Sequence, residues 1–290
     1  MTESLSDLRA RFTQSLQASG RAHATVIAYS KDVEQITQFL AKKESSVDEL
    51  SDITSNDLEE FKELLKTQRY TGKSISRKIN AIKSFFRYLI AEGLIKDNPA
   101  EVVAHPKFDL EPPRILSKLE YRALRDACRS DLRIYAIVEV LLQTGLRISE
   151  LAVMQLADLD LDRNLILIKP QNSRESRRVP LNTAAKTALD EYLKVRPRAR
   201  EKTVFLTKTC RPFLVRNIRT ALDRYFRLAG IKDSKVNDLR HTFIVEQLKA
   251  GTPLVYVSQL VGHKRITTTE KYLKMIEAPD MNPTVKIEEL

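Results

Sequence analysis

A mainly α fold in two parts, the second carrying a small antiparallel β-sheet, is what the 290-residue sequence predicts. Three observations lead there. Apolar residues recur at helical spacing in four blocks before residue 92, a proline-rich stretch follows, and two short β-type runs then interrupt an otherwise helical remainder.

The four early blocks run from Leu8 to Leu16, Thr25 to Leu40, Ser55 to Lys66 and Ser74 to Ala91. Asp57 and Ser74 stand at the starts of two of them, as helix N-terminal signals do. From His105 to Pro113 there are three prolines and few core-forming residues, which suits an extended linker. The expected boundaries are a helical domain over 1–105, a linker over 106–113, a second domain over 114–277 and a tail over 278–290.

In the second part, Ile134 to Gln143 reads as an apolar helix stopped by Gly145, with another starting near Ser149 to Met154. Asn164 to Ile168 and Arg178 to Leu181 read as strands joined by a polar loop, and Val204 to Leu206 as a further short strand. Helices return over Ala184 to Val195, Arg216 to Ala229, Leu239 to Ala250 and Leu254 to Leu260. Gly251 is placed to end one of these, and Thr252-Pro253 to cap and open the next.

Charge separates the two parts as well. Of the formal net charge of +11, residues 1–108 carry +1 and residues 109–290 carry +10. A basic excess of this kind points to a polyanionic partner, although it also serves solubility. No apolar run reaches the length that spans a bilayer, and the first twenty residues lack the apolar stretch of a signal peptide, so an intracellular, cytoplasmic protein is expected. Cys128 and Cys210 form no CxxC pair, which suggests neither a disulfide framework nor a zinc site.

The fourth block carries Lys73, Arg77, Lys78, Lys83 and Arg87 around Ile75, Ile79, Ile82, Phe86 and Leu89. Such a basic stripe is able to follow DNA phosphates, and a solvated face of an ordinary amphipathic helix looks the same. Thr71-Gly72-Lys73-Ser74 has the ending of a phosphate-binding loop, but Thr67 stands where that motif needs a glycine.

The chemistry concentrates in TGLRISEL (Arg147, Glu150), DLRHTF (Arg240, His241), LVGH (His263) and TTTEKY (Tyr272). Two guanidiniums, an imidazole and a phenol are the groups needed to cut a phosphodiester with a protein nucleophile and no metal. Guanidinium stays charged and offers a planar fork of donors to phosphate oxygens. As phosphorus becomes five-coordinate, fixed donors aimed at its oxygens favour the transition state. Taken alone, each residue has a plainer reading: a packed tyrosine, a structural histidine, or an Arg147–Glu150 ion pair.

In this order and separation the four strings closely resemble the tyrosine recombinases, the phage-integrase-like family, in their Xer-type two-domain form. The resemblance covers nearly the whole chain. It implies a helical core-binding domain, a linker and a mostly helical catalytic domain. It also implies that Tyr272 attacks the scissile phosphate, forming a 3′-phosphotyrosyl bond, with Arg147 and Arg240 as clamp and His263 as hydrogen-bond donor or proton relay. Glu150 orients Arg147, and His241 supports the site by packing or hydrogen bonding. No cofactor or metal is implied.

Two positions depart from the family pattern. The family's general-acid lysine lies on the strand–loop element, where Lys169 is the candidate, but the usual Gly-Lys-Gly context is missing and the loop is longer by about one residue; Arg174 is the substitute or DNA-backbone contact. Where the family often has the first histidine of an HxxR pattern, this chain has Asn237, whose amide can donate to a phosphate oxygen but cannot take a proton near neutral pH.

The resemblance further implies double-stranded DNA as partner and a homotetramer on two DNA sites, or a hetero-oligomer with a related recombinase, with the tail at 278–290 as a docking segment or a frayed end. In a prokaryote it implies association with the nucleoid. The two departures tilt the expectation towards a mobile-element recombinase. The alternatives are a type IB-like DNA topoisomerase and a catalytically impaired DNA-binding regulator with the same fold; a helix-turn-helix factor explains the charge but not the ordered motifs.

Overall fold

The computed structural model describes residues 4–42, 53–109, 111–170 and 174–276. These form a mainly α protein with one small antiparallel sheet, and the chain divides into two compact units, Met1–Glu111 and Pro112–Leu290.

The first unit is built on α1 (Leu5–Ala18), α2 (His23–Ala41), α3 (Ser55–Thr67) and α4 (Gly72–Ala91). Its core joins Phe12, Ile36, Phe61, Ile79, Phe85 and Leu89, with the Phe12 and Phe85 rings edge to face at 5.3 Å. The capping residues are Thr54 and Thr71, not Asp57 and Ser74. Each threonine hydroxyl accepts from the amide three residues on, at 3.3 Å in both cases, and the Thr54 amide donates in return to Asp57 Oδ2. The would-be phosphate loop is therefore simply the start of α4. After α4 the chain folds back on it: Lys83 Nζ donates to the Glu101 carbonyl, Ser76 meets His105, and the Phe108 side chain sits against Gly72.

Lys78 corrects the picture of a uniform basic stripe. It is buried, its ammonium 2.9 Å from Asp32 and 2.7 Å from Gln35 Oε1, so it ties α4 to α2 and does not face solvent. Arg77 also pairs with Asp32 while remaining partly exposed. Lys73 and Arg87 are exposed, and Lys83 is half-buried.

The second unit begins with α5 (Lys118–Cys128), a helix not among those expected, which a Ser117–Glu120 capping box starts. It continues with α6 (Leu132–Thr144), α7 (Ile148–Val153), β1 (Leu159–Asp160), β2 (Leu165–Ile168) and β3 (Arg177–Pro180). Then come α8 (Thr183–Val195), α9 (Val215–Leu228), α10 (Val236–Lys249), α11 (Leu254–Val261) and α12 (Thr267–Glu270). The sheet order is β1-β2-β3, antiparallel throughout, with Ile166 opposite Val179 and Ile168 opposite Arg177. Residues 204–206 do not form the expected strand, because the chain there makes only isolated bridges, Gln155 with Thr203 and Leu206 with Pro212. Thr252 does not cap α11 either: Pro253 holds the cap position, and the Thr252 hydroxyl goes to Gln247.

Two cores support this unit. The larger packs α6 against α8 and the sheet through Ile137, Leu141, Ile166, Val179 and Leu189. The smaller gathers Phe243, Ile244, Val257, Leu260 and Val261 around the ring of Tyr272.

Candidate active site

Three left-handed or capping turns place the polar groups. Gly145 ends α6 at φ +62°, a conformation that costs glycine little, and a Cβ there would collide with the Phe243 ring. Two residues later Arg147 sits at the N-cap of α7, and its amide donates to Glu150 at 2.9 Å. Gly262 ends α11 at φ +66°, and the His263 amide returns to the Ser258 carbonyl at 3.0 Å, which turns His263 away from the helix axis. On α10, Asn237, Arg240 and His241 share one face at spacings of three and four.

The arginines converge on the carbonyl end of α11. Arg147 donates to Val261 at 3.0 Å and Gly262 at 2.8 Å, and Arg240 donates to Val261 at 2.7 Å and to Gly145 at 2.5 Å. A third arginine, Arg177 on β3, donates to the Leu260 carbonyl at 2.7 Å. Positive charge is favourable at a helix C-terminus, where unpaired carbonyls accumulate. Glu150, buried, balances the group: it accepts both Arg177 forks at 2.9 and 2.7 Å and Arg147 Nη1 at 3.1 Å. Burial alone would raise the Glu150 carboxyl, but the bonds from Arg177 and the Arg147 amide hold it below its usual range. Arg240 is so deeply buried, and so close to Arg147, that its pKa is pushed down to about 9. Even so it is charged at neutral pH.

Among the described residues, three of Arg147's five N–H donors and two of Arg240's are engaged, leaving donors on both. Arg177 was not foreseen. Its signal was β-periodicity: it shares a face with buried Val179, and an arginine pointing inward demands a buried acid.

Tyr272 follows α12 and is only 6% exposed. Its hydroxyl lies 2.6 Å from His241 Nδ1, and His241 Nε2 lies 2.7 Å from the Asn237 side-chain amide nitrogen. The His263 ring is near-parallel to the phenol at 6.4 Å, with Nδ1 2.8 Å from the hydroxyl of buried Thr269. Burial first, then Arg240 and Arg147, push the His263 pKa down to about 3. Burial and the two guanidiniums thus favour its neutral form. Burial raises the Tyr272 phenol, only partly opposed by Arg240.

The structure thus brings together Arg147, Glu150, Arg240, His241, His263, Asn237 and Tyr272. Lys169 stands apart in its bonding, since its ammonium pairs with Asp158 at 2.8 Å and Gln155 Oε1 at 3.1 Å and the side chain is 53% exposed. It nonetheless lines a small cavity that also touches Glu150. Arg174 is half-buried, its Nε has no hydrogen-bond partner among the described residues, and its charge bears on Arg147. No group of three or more metal-ligating side chains occurs among the described residues.

A helical domain with a three-stranded sheet, holding two arginines, two histidines and a buried tyrosine in one place, is the pattern of an enzyme that exchanges DNA strands through a tyrosine. Comparison with known proteins agrees. Residues 114–277 match the phage integrase family, and residues 10–93 match the phage integrase N-terminal SAM-like domain. Tyrosine recombinase XerC of Roseiflexus castenholzii is 32% identical over 260 residues, covering 86% of this chain and 82% of that protein.

Among solved structures, the Tn1549 transposon integrase bound to transposon right-end DNA aligns with a TM-score of 0.78 at 20% identity, covering 93% of this chain and 94% of that one. A lambda integrase from a tetramer bound to a Holliday junction aligns with a TM-score of 0.76 at 18% identity, covering 93% and 77%. At those identities the two structures establish the fold. The chain belongs to the phage integrase family and is a site-specific tyrosine recombinase.

Proposed function

We propose that Tyr272 is the nucleophile, cutting one DNA strand to leave a 3′-phosphotyrosyl bond and a free 5′-hydroxyl, and that a partner strand's 5′-hydroxyl then reverses the step. The observation that carries this is the Tyr272 hydroxyl, held 2.6 Å from an imidazole in a cluster with two buried or half-buried arginines. A free phenol is ionised to about one part in a thousand at neutral pH. Burial makes ionisation harder still here, so the proton must leave during attack.

Arg147 and Arg240 hold the scissile phosphate with the N–H donors left over from the α11 carbonyls, and Glu150 keeps Arg147 oriented. His263, neutral, donates a hydrogen bond from Nε2 to the same phosphate. Lys169 protonates the leaving 5′-oxygen after exchanging Asp158 for DNA, or Arg174 supplies that contact in its place. Asn237 helps through its amide.

Residues 1–105 act as the core-binding domain, gripping DNA with Lys73, Arg77, Lys83 and Arg87; buried Lys78 is not among these contacts. Residues 106–113 link it to a catalytic domain over 114–277. Double-stranded DNA is the partner, and four copies act on two sites, as supported by the lambda integrase tetramer on its junction. The tail at 278–290, expected as a docking segment or a frayed end, lies outside the described residues. Among the described residues no helix is long and apolar enough to cross a membrane, which accords with action on DNA in the cytoplasm or nucleoid.

The XerC relatives favour an Xer-like role, while Asn237 and the altered lysine loop favour a mobile element. Tyr272→Phe decides the central point. The variant should bind DNA, and sequencing the DNA it retains should identify the site. On a nicked duplex of that sequence it should form no covalent adduct, and an adduct would assign the nucleophile elsewhere.

A further inference from the structure

We propose that His241 is the group that takes the phenolic proton from Tyr272, with Asn237 selecting the ring tautomer that allows it; the proposal rests on Tyr272 being the nucleophile. One imidazole nitrogen meets the phenol at 2.6 Å and the other meets the Asn237 amide at 2.7 Å, so the three side chains form a single hydrogen-bonded line. Asn237 and His241 lie four residues apart on α10, which fixes their spacing. His263, the other nearby imidazole, turns its Nδ1 to Thr269 and stacks its ring on the phenol face instead of meeting the oxygen.

Electrostatics agree with the geometry. Burial lowers the His241 pKa below 6.5, opposed by Asp238 and reinforced by Arg240, so the ring is neutral and basic at neutral pH. The charged or titratable groups facing it are Asp238 and Arg240 from its own helix and Tyr272 and His263 from the segment after α11.

An amide serves both tautomers because it carries a donor and an acceptor. With Asn237 Nδ2 turned to His241 Nε2, the ring proton sits on Nδ1 and donates to the phenol oxygen. A half-turn of the amide presents Oδ1 to Nε2–H and leaves the Nδ1 lone pair facing the phenolic O–H. On attack the O–H bond breaks and its proton passes to Nδ1, while the oxygen's electron pair forms the bond to phosphorus. The bond from phosphorus to the 5′-oxygen breaks, and that oxygen leaves with a proton from the acid, Lys169 or Arg174. His241 is then an imidazolium whose Nε2–H rests on Asn237 Oδ1, and religation returns the proton to Tyr272.

The test measures the rate of covalent adduct formation on a nicked duplex carrying the sequence recovered with Tyr272→Phe. His241→Ala should slow adduct formation about 100-fold or more with DNA binding unchanged. In the wild type the base works only when neutral, so the rate should fall as pH drops through the His241 pKa, below 6.5. Asn237→Asp places a carboxylate beside Nε2 and favours the imidazolium, so this acid limb should move up by about one pH unit, a change that a packing role does not produce.

A His241→Ala rate within threefold of wild type overturns the proposal, as does an Asn237→Asp profile superimposable on the wild type's. If His241→Ala fails to fold, the Asn237→Asp profile decides alone. Adduct formed by Tyr272→Phe would instead remove the nucleophile reading, so the two failures are distinct.

Discussion

The two halves of the site are built on opposite plans. The arginine half is over-determined: Glu150 is buried with bonds from Arg147 and Arg177, and four backbone carbonyls receive the three guanidiniums. The proton-transfer half is sparse. Asn237 is exposed, each His241 nitrogen has one hydrogen-bond partner among the described residues, and Lys169 is half out in solvent beside Asp158. The clamp's bonds hold the buried guanidiniums in place before DNA arrives while leaving N–H donors on Arg147 and Arg240 for a phosphate. A group that exchanges protons needs partners it can release.

Three substitutions probe that contrast, in decreasing order of effect. Arg240→Ala should be the most damaging. It removes the transition-state donor proposed above and strips the Gly145 and Val261 carbonyls of a partner, so adduct formation should fall on the order of 1000-fold. Denaturant unfolding should show a loss of roughly 3 kcal/mol. A loss of activity with undiminished stability would mean that the clamp is not the rigid half.

Gly262→Ala should come next. At φ +66° a side chain is strained, and its Cβ would lie 2.9 Å from Arg177 Nη1, which is itself fixed by Glu150. About 1–2 kcal/mol of stability should be lost, with a fall in cleavage because His263 follows directly. Equal thermal midpoints for variant and wild type would show that the Arg177 fork yields easily.

Lys169→Ala should barely alter stability, by less than about 1 kcal/mol, since its ion pair is largely exposed. Its effect should appear in cleavage, and should vanish on a substrate whose bridging 5′-oxygen is replaced by sulfur, because a thiolate leaves without a proton. Persistence of the defect on that substrate would remove the acid role from Lys169.

Much of the clamp was legible in the sequence because its residues sit at chain punctuation. Gly145 and Gly262 mark helix ends, and the arginine and histidine beside them take their positions from those turns. α5 was not among the expected helices, although Ser117-x-x-Glu120 carries a capping-box signal for it. Lys78 was misplaced for the opposite reason. It shares the helix with Lys73, Arg77 and Arg87, and only the buried Asp32 across on α2 draws it inward. Residues 204–206 have strand composition, but among the described residues no neighbouring strand offers them a ladder.

By itself the sequence determined most of the helical elements and the two-part organisation of charge, and it singled out the motif residues that the fold gathers, since local periodicity and turn chemistry act over a few residues. Only the tertiary structure decided which partner each reacting group has. It joined Arg177 to Glu150 across 27 residues and the Tyr272 phenol to His241 across 31. It also gave Lys169 to Asp158 and set His263 in a buried, cationic place that favours its neutral form. Such pairings depend on desolvation and on distances closed by packing the smaller core around Tyr272, and neither is encoded by spacing along the chain.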